Sequence, residues 1–588
     1  MHHGPLAAFL ALILLNASAQ AQEWKTKFKT RFENSSGNES ADYTTGIEFY
    51  KRLAEASDAV TITPMGPTDS GRPLHLVVIS DRSVAPDEIA SDERSVLLIN
   101  NAIHPGEPDG VDASMAFARD LAFDNDRYGE ALKNVIVAII PFYNIGGALN
   151  RNSHSRANQN GPREYGFRGN ARNFDLNRDF IKCDTRNARS FAELFHTVDP
   201  DLFLDTHVSN GADYQYVMTS AHSQKDKLGY GLGTYLEENV EPTLFGGMLQ
   251  AGFPTVPYVN SGGRPPDQGG FTQFLETPRY STGYAALFQT IGFMTETHML
   301  KPYSQRVAAT REFMDQSLAL LQNEGKALQR IRREDRSNYH QQDEVPISWT
   351  VDRENPSRIE FRGYEASFIP SKITPGNRLK YDRDRPFVRN IPFYNDFQPR
   401  ETVTLPTGYL IPAQWHAVIE LMRLNQVEMR VIETETVFDA DVYRVDDFTT
   451  RSSPYEGHYF HDTVTLSSTF ERVTAKAGDI VIPIHQDRAR YVVETLEPAA
   501  MDSLFRWNYF ETILQRKEYF SSYVFEDSAE EMLDGDEALR ADFEARRDED
   551  SEFAESRSAQ LQFLYERSKH NEQAYRRYPI ARLRSLPK

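Results

Sequence analysis

Five short apolar runs limit what this chain can fold into: residues 74–79, 95–100, 135–140, 201–205 and 291–295. Each is of strand length and mostly apolar, the first three rich in Val, Ile and Leu, and none alternates cleanly with polar residues. Runs of that kind suit strands buried on both faces. Between them lie helical patterns, such as 111–121 and 187–196. Strands alternating with helices predict an α/β fold: a mixed, mostly parallel sheet flanked by helices.

With 588 residues the chain is too long for one ordinary core. Residues 1–21 read as a signal peptide. Their apolar run, 6–15, is too short to span a bilayer and is followed by the small residues Ala17, Ala19 and Ala21. The n-region departs from the usual pattern, with His2 and His3 but no Lys or Arg. Residues 22–42 are polar and read as a linker or short arm. Residues 43–335 hold the α/β pattern and end in a charged helix. Residues 345–500 change texture, with short β-like segments, prolines and aromatics, and are expected to form a β-rich domain. Within them a strand–proline–helix pattern occurs twice, at 408–424 and 478–496. Residues 501–588 are expected to be helical. No later stretch is apolar enough to span a membrane, so the mature chain is expected to be secreted, in a periplasm or outside the cell.

The formal net charge is −20. That argues against nucleic acid, whose phosphates need basic patches, and against an anionic membrane surface. The single cysteine, Cys183, excludes an intrachain disulfide and a thiolate-rich zinc site. Any zinc here must use His, Asp or Glu.

Polar residues cluster just past the ends of the predicted strands. His104 and Glu107 follow the second, Asn144 the third, His207 the fourth and Glu296 the fifth. In an open α/β sheet that edge is where ligands bind. In the turn His104-Pro105-Gly106-Glu107, two ligands three residues apart can converge on one ion. With His207 as the third, one tetrahedral position stays open, the pattern of a catalytic zinc. Asp205 is a candidate outer carboxylate, with a turn cap as the plain alternative. Glu296 ends a hydrophobic strand, where desolvation raises its proton affinity toward that of a general base. A salt-bridged carboxylate is the competing reading, and His298 is a rival ligand without a spacing partner. In Arg172–Phe180 the Asn177–Arg178 pair can grip a carboxylate, and Arg168 can polarise a carbonyl. Taken alone, these arginines also read as ordinary surface charge.

Five motifs occur in one order: H-x-x-E at 104–107, N-x-x-G at 144–147, D-L-N-R at 175–178, D-x-H at 205–207 and the late Glu296. Over residues 43–330 the chain resembles the zinc carboxypeptidases of family M14. The resemblance implies one Zn2+ per chain, held by His104, Glu107 and His207. It implies Glu296 as the general base on the zinc-activated water and Arg168 as the oxyanion partner, with Arg172 competing. It implies Asn177 and Arg178 as the pair holding the free C-terminal carboxylate of a peptide substrate. Tyr280 or Tyr284 would match the family's mobile tyrosine. The turn lacks the arginine of digestive members, and the base lies in T-E-T-H rather than F-E-L. The C-terminal half is similar to extensions on large bacterial members. The expected function is a secreted zinc metallocarboxypeptidase that hydrolyses C-terminal peptide bonds. A zinc amidohydrolase acting on cell-wall peptides or N-acyl amino acids, and a non-catalytic binding protein, are the alternatives.

Overall fold

All five apolar runs are strands of one eight-stranded sheet. The structure is a computed structural model that describes residues 23–586, so the signal-peptide reading of 1–21 lies outside the described residues. The strands in chain order are β1 (Val60–Pro67), β2 (Pro73–Ile79), β3 (Ser95–Asn100), β4 (Val135–Ile140), β5 (Leu202–Ser209), β6 (Met218–His222), β7 (Thr255–Pro257), β8 (Phe271–Thr272) and β9 (Ile291–His298). The sheet order is β1-β2-β4-β3-β5-β9-β6-β7, with β8 elsewhere. The central run β4-β3-β5-β9 is parallel throughout. The antiparallel joins β1–β2, β2–β4 and β6–β9 flank it. The fold is therefore the mixed, mostly parallel α/β sheet the sequence predicts. β1, β6 and β7 gave no continuous apolar run, because β1 is only half-buried and β6 carries Thr, Ser and His.

Alternate residues of each strand point to opposite faces. Leu97 and Ile99 join one core, with Val111 and Phe117 of the helix Asp109–Phe123 and Leu318 of the helix Tyr303–Tyr339. Val96 and Leu98 join another, with Phe191 and Phe195 of the helix Arg186–Val198. That second core continues into the C-terminal half through Tyr409, Ile419, Ile482, Val492 and Trp507. The two halves thus share buried surface and are not joined only by a tether. The reason is physical: the apolar face of the helix Arg186–Val198 would otherwise meet water.

The C-terminal half holds β10 (Glu344–Val351) paired with β13 (Phe397–Thr404), and a hairpin of β11 (Ser357–Pro370) and β12 (Asn377–Tyr394) that captures β8. A six-stranded sheet follows, from β14 (Gly408–Ile411), β15 (Arg430–Val431), β16 (Thr436–Thr450), β17 (His461–Ala475), β18 (Ile480–Pro483) and β19 (Ala581–Leu583). The two strand–proline–helix units lie side by side, β14 antiparallel to β18. Two readings need correction. Residues 501–588 are not all helical, since β19 closes the gap between β14 and β16, too short a strand to leave a periodic signal. Residues 23–42, within the stretch read as a linker or short arm, are docked. Phe28 and Ala41 are buried, the Ala41 N–H donates to Asp112, and Asp42 caps the helix Tyr43–Ala56. Among the described residues no helix is long and apolar enough to cross a membrane.

His196 sits in the seam between the halves, buried beside the Asn425 side chain (3.2 Å) and the Tyr284 hydroxyl (3.3 Å). Burial pulls its pKa down to about 3. A folded pKa below the unfolded one contributes stability that is complete above about pH 6.5 and lost as pH falls toward the folded value. Between pH 7 and pH 5, wild type should lose on the order of 2 kcal/mol more stability than His196→Gln. Urea unfolding of both proteins at the two pH values measures this; equal losses would show that His196 is not buried as a neutral ring.

Candidate metal centre and active-site cavity

The C-terminal edge of the parallel strands carries the polar groups. His207 on β5 lies directly beside Glu296 on β9, as register partners. The turn after β3 brings His104 and Glu107 to the same place. It can do so because Gly110, at the start of the helix Asp109–Phe123, lies against β5: a Cβ there would come within 2.0 Å of the Thr206 hydroxyl. Asn144 locks the surrounding loops. Its Oδ1 accepts from the Gly147 N–H, and its Nδ2 donates to the carbonyls of Ile103 and Arg168.

His104, Glu107 and His207 are buried, and one donor atom from each lies within 4.8 Å of the others. Two carboxylates turn the rings. His104 Nε2 is 2.9 Å from Asp175 Oδ1, and His207 Nε2 is 2.9 Å from Asp205 Oδ2. Each carboxylate favours the proton on Nε2 and leaves the Nδ1 lone pair facing inward. Arg168 Nη1, 3.3 Å from His104 Nδ1, fits the same tautomer. The two Nδ1 atoms are 3.1 Å apart, and the Glu107 carboxylate is 3.4 Å from one and 3.2 Å from the other. Three electron-pair donors this close repel one another unless a cation or a proton lies among them. Two imidazoles and one carboxylate are proper zinc donors, so the set fits zinc.

These residues line a cavity of about 490 Å3 together with Arg168, Asn177, Arg178, Tyr280 and Glu296. Burial pushes Glu296 up to about 8; His207 pulls against this and Glu107 adds to it. Asp175 is also buried, yet His104, Arg168 and Arg178 hold its carboxyl well below the usual range. It binds Arg168 through Nε at 2.9 Å and accepts from the Asn177 N–H at 2.9 Å. Arg178 lies over the Tyr280 ring, 4.5 Å from its centre.

Three sequence candidates lie elsewhere. Tyr284 does not reach the cavity: it is buried in the core, its hydroxyl donating to Asn425 at 2.6 Å. Its helix Ser281–Ala286 turns that face toward the seam. Arg172 is an exposed arginine bonded to the Asp184 carbonyl. The ring of His298 is spent on the Ala212 carbonyl and the Leu300 N–H. Other lining residues had no signal in the sequence. Arg156 donates to Glu107 Oε1 at 2.6 Å and to the Val208 carbonyl at 3.2 Å, from a loop rich in Arg, Asn and Ser. Tyr258, Phe274 and Met294 supply apolar wall.

Residues 47–214 match the family Peptidase_M14, described as zinc carboxypeptidase. That match places this segment of the chain among the M14 zinc carboxypeptidases. The chain is a zinc metallopeptidase, a hydrolase. Among curated relatives, it is 22% identical to carboxypeptidase 2 of Trichophyton equinum, over 77% of this chain and 81% of that protein. It is 21% identical to a probable carboxypeptidase 2 of Arthroderma benhamiae, over 78% of this chain and 83% of that protein. Similar solved structures include a metallo-carboxypeptidase from Pseudomonas aeruginosa, at 18% identity and a TM-score of 0.36, covering 48% of this chain and 69% of that one. Another is carboxypeptidase A from Helicoverpa armigera, at 13% identity and a TM-score of 0.37, covering 54% and 82%.

Because Gly110 packs without a side chain against β5, Gly110→Ala should push the helix Asp109–Phe123 outward and shift Glu107. We expect a loss of about 1–3 kcal/mol, read as a lowered melting temperature. An unchanged melting temperature would contradict this packing.

Proposed function

We propose that this M14 enzyme is a secreted metallocarboxypeptidase that removes C-terminal residues from peptides with a free carboxylate. The observation that carries the reading is one cavity lined at once by the His104–Glu107–His207 donors, by Glu296 and by the Asn177–Arg178 pair. A carboxyl-binding group beside the donor set and a base is what an exopeptidase needs.

One Zn2+ would be held by His104, Glu107 and His207. Zinc supplies Lewis-acid chemistry when bound, polarising a carbonyl and lowering the pKa of water toward 7. Glu296, raised by burial, accepts the proton of the attacking water and returns it to the leaving amine. Arg168 turns its guanidinium to the oxygen that gains charge. Arg178 meets the substrate carboxylate with a planar fork, and Asn177 adds an amide donor. Asn177 is pinned for this, its Oδ1 accepting from the Ser281 N–H at 3.1 Å. Tyr280, stacked edge-on to Phe274, walls the same side. Asp205 keeps His207 in register, itself held by the Ser281 hydroxyl at 2.5 Å. The signal peptide read from residues 1–21 supports export.

The test is a mixed peptide pool digested by zinc-loaded protein and followed by mass spectrometry. Wild type should release residues stepwise from C-termini, and Glu296→Gln should lower kcat by about 10²–10⁴-fold while still binding zinc. Blocking substrate C-termini as amides should abolish turnover. Cleavage of amidated peptides, or of acylated amino acids alone, would move the assignment to an amidohydrolase on the same site. In a separate measurement, Asp205→Ala should weaken zinc about 10–100-fold in chelator competition; wild-type affinity would remove Asp205 from its orienting role.

A further inference from the structure

The C-terminal half packs one turn behind the cavity wall, against the loop that carries Asp175. Residues 451–460 join β16 to β17, and at their tip the Tyr455 N–H and the His458 N–H bond across to each other's carbonyls. The two central residues of this two-residue turn are left-handed: Glu456 has φ 49° and Gly457 φ 84°. Such turns favour Asn or Gly at the first central position, where an ordinary side chain pays for the conformation. A glutamate held there is an outlier, and outliers of this kind gather at functional sites.

Its side chain has a specific use. Glu456 Oε2 accepts the backbone N–H of Asp175 at 2.8 Å. Asp175 is the residue whose carboxylate meets His104, Arg168 and the Asn177 N–H. The rest of the turn is built to deliver this contact. His458 Nε2 lies 2.7 Å from Asp184 Oδ2, which also binds the buried Lys182. Gly457 rests on the Phe174 ring, where an added Cβ would come within 3.1 Å. Tyr455 stacks on Trp507, and Arg279 lies over both rings while its guanidinium binds Asp502. Arg279 immediately precedes Tyr280 of the cavity wall.

We propose that Glu456 is a positioning residue of the active site: by accepting the Asp175 N–H it fixes the Asp175–Arg178 turn, and through it both the His104 ring and the Asn177–Arg178 pair. The β-rich half then completes the catalytic domain. This rests on the carboxypeptidase reading for its effect on substrate, but not for its effect on His104.

Glu456→Gly and Glu456→Gln separate the contact from the scaffold. Glycine relieves the left-handed backbone and removes the acceptor; glutamine keeps an acceptor oxygen. We expect Glu456→Gly to hold its melting temperature within a few degrees, while zinc affinity in chelator competition falls roughly three- to tenfold, short of the loss for a carboxylate that touches a ligand directly. KM for peptides should rise about tenfold with kcat less affected, and Glu456→Gln should restore both quantities. Wild-type zinc affinity and KM in Glu456→Gly, or equal loss in both variants, would overturn the proposal. If wild type cleaves no peptide, but zinc affinity still falls in Glu456→Gly and returns in Glu456→Gln, the positioning role stands and the substrate reading fails.

Discussion

Two carboxylate–imidazole pairs hold the site together. Asp175 on His104 and Asp205 on His207 fix the protons on the outer ring nitrogens and aim the inner ones at Glu107. Neither pair could form on a loose scaffold. Asp205 and His207 are two residues apart on β5, where alternation places both on one face of a strand buried along its whole length. Asp175 comes from a loop and so needs support, which it receives from Arg168, from the Asn177 N–H and from across the molecule. The parallel sheet sets one ring and a network of loops sets the other.

That asymmetry gives the C-terminal half a physical reason to exist. One core runs from Leu98 and Phe203 of the sheet through Phe191 and Phe195 to Tyr409, Ile482 and Trp507. Burial on this scale stabilises both halves together. It also brings the 451–460 turn against the loop that carries Asp175, Asn177 and Arg178. The buried Lys182, placed between Asp179 and Asp184 at 2.7 and 2.6 Å, keeps that loop compact where it meets the turn. An unpaired ammonium ion there would be costly.

The sheet was legible because β3 and β4 carry aliphatic runs and β5 and β9 begin on apolar ones; β6 and β7 were not, since Thr, Ser and Pro dilute the pattern. The donors were legible because metal chemistry restricts residue type and because each follows a strand end. Glu296 shared that advantage. Arg156 was invisible: it reaches Glu107 from a polar loop 49 residues away, and nothing local marks its direction. Tyr284 misled because it stands only four residues from Tyr280, yet Tyr280 is the extended residue before the helix Ser281–Ala286, whereas Tyr284 lies inside that helix with its ring in the core. Glu456 lies 281 residues beyond the group it holds. Contacts set by tertiary packing leave no periodicity to read.

A zinc centre built from His104, Glu107 and His207 at the strand ends is open to direct measurement. Zinc K-edge absorption on the loaded protein tests it most directly. The expected result is one zinc per chain in a shell of two imidazoles and carboxylate oxygen at about 2.0–2.2 Å, with one imidazole lost in His207→Ala. A shell without imidazole, or one unchanged by His207→Ala, would place the metal elsewhere and contradict the assignment.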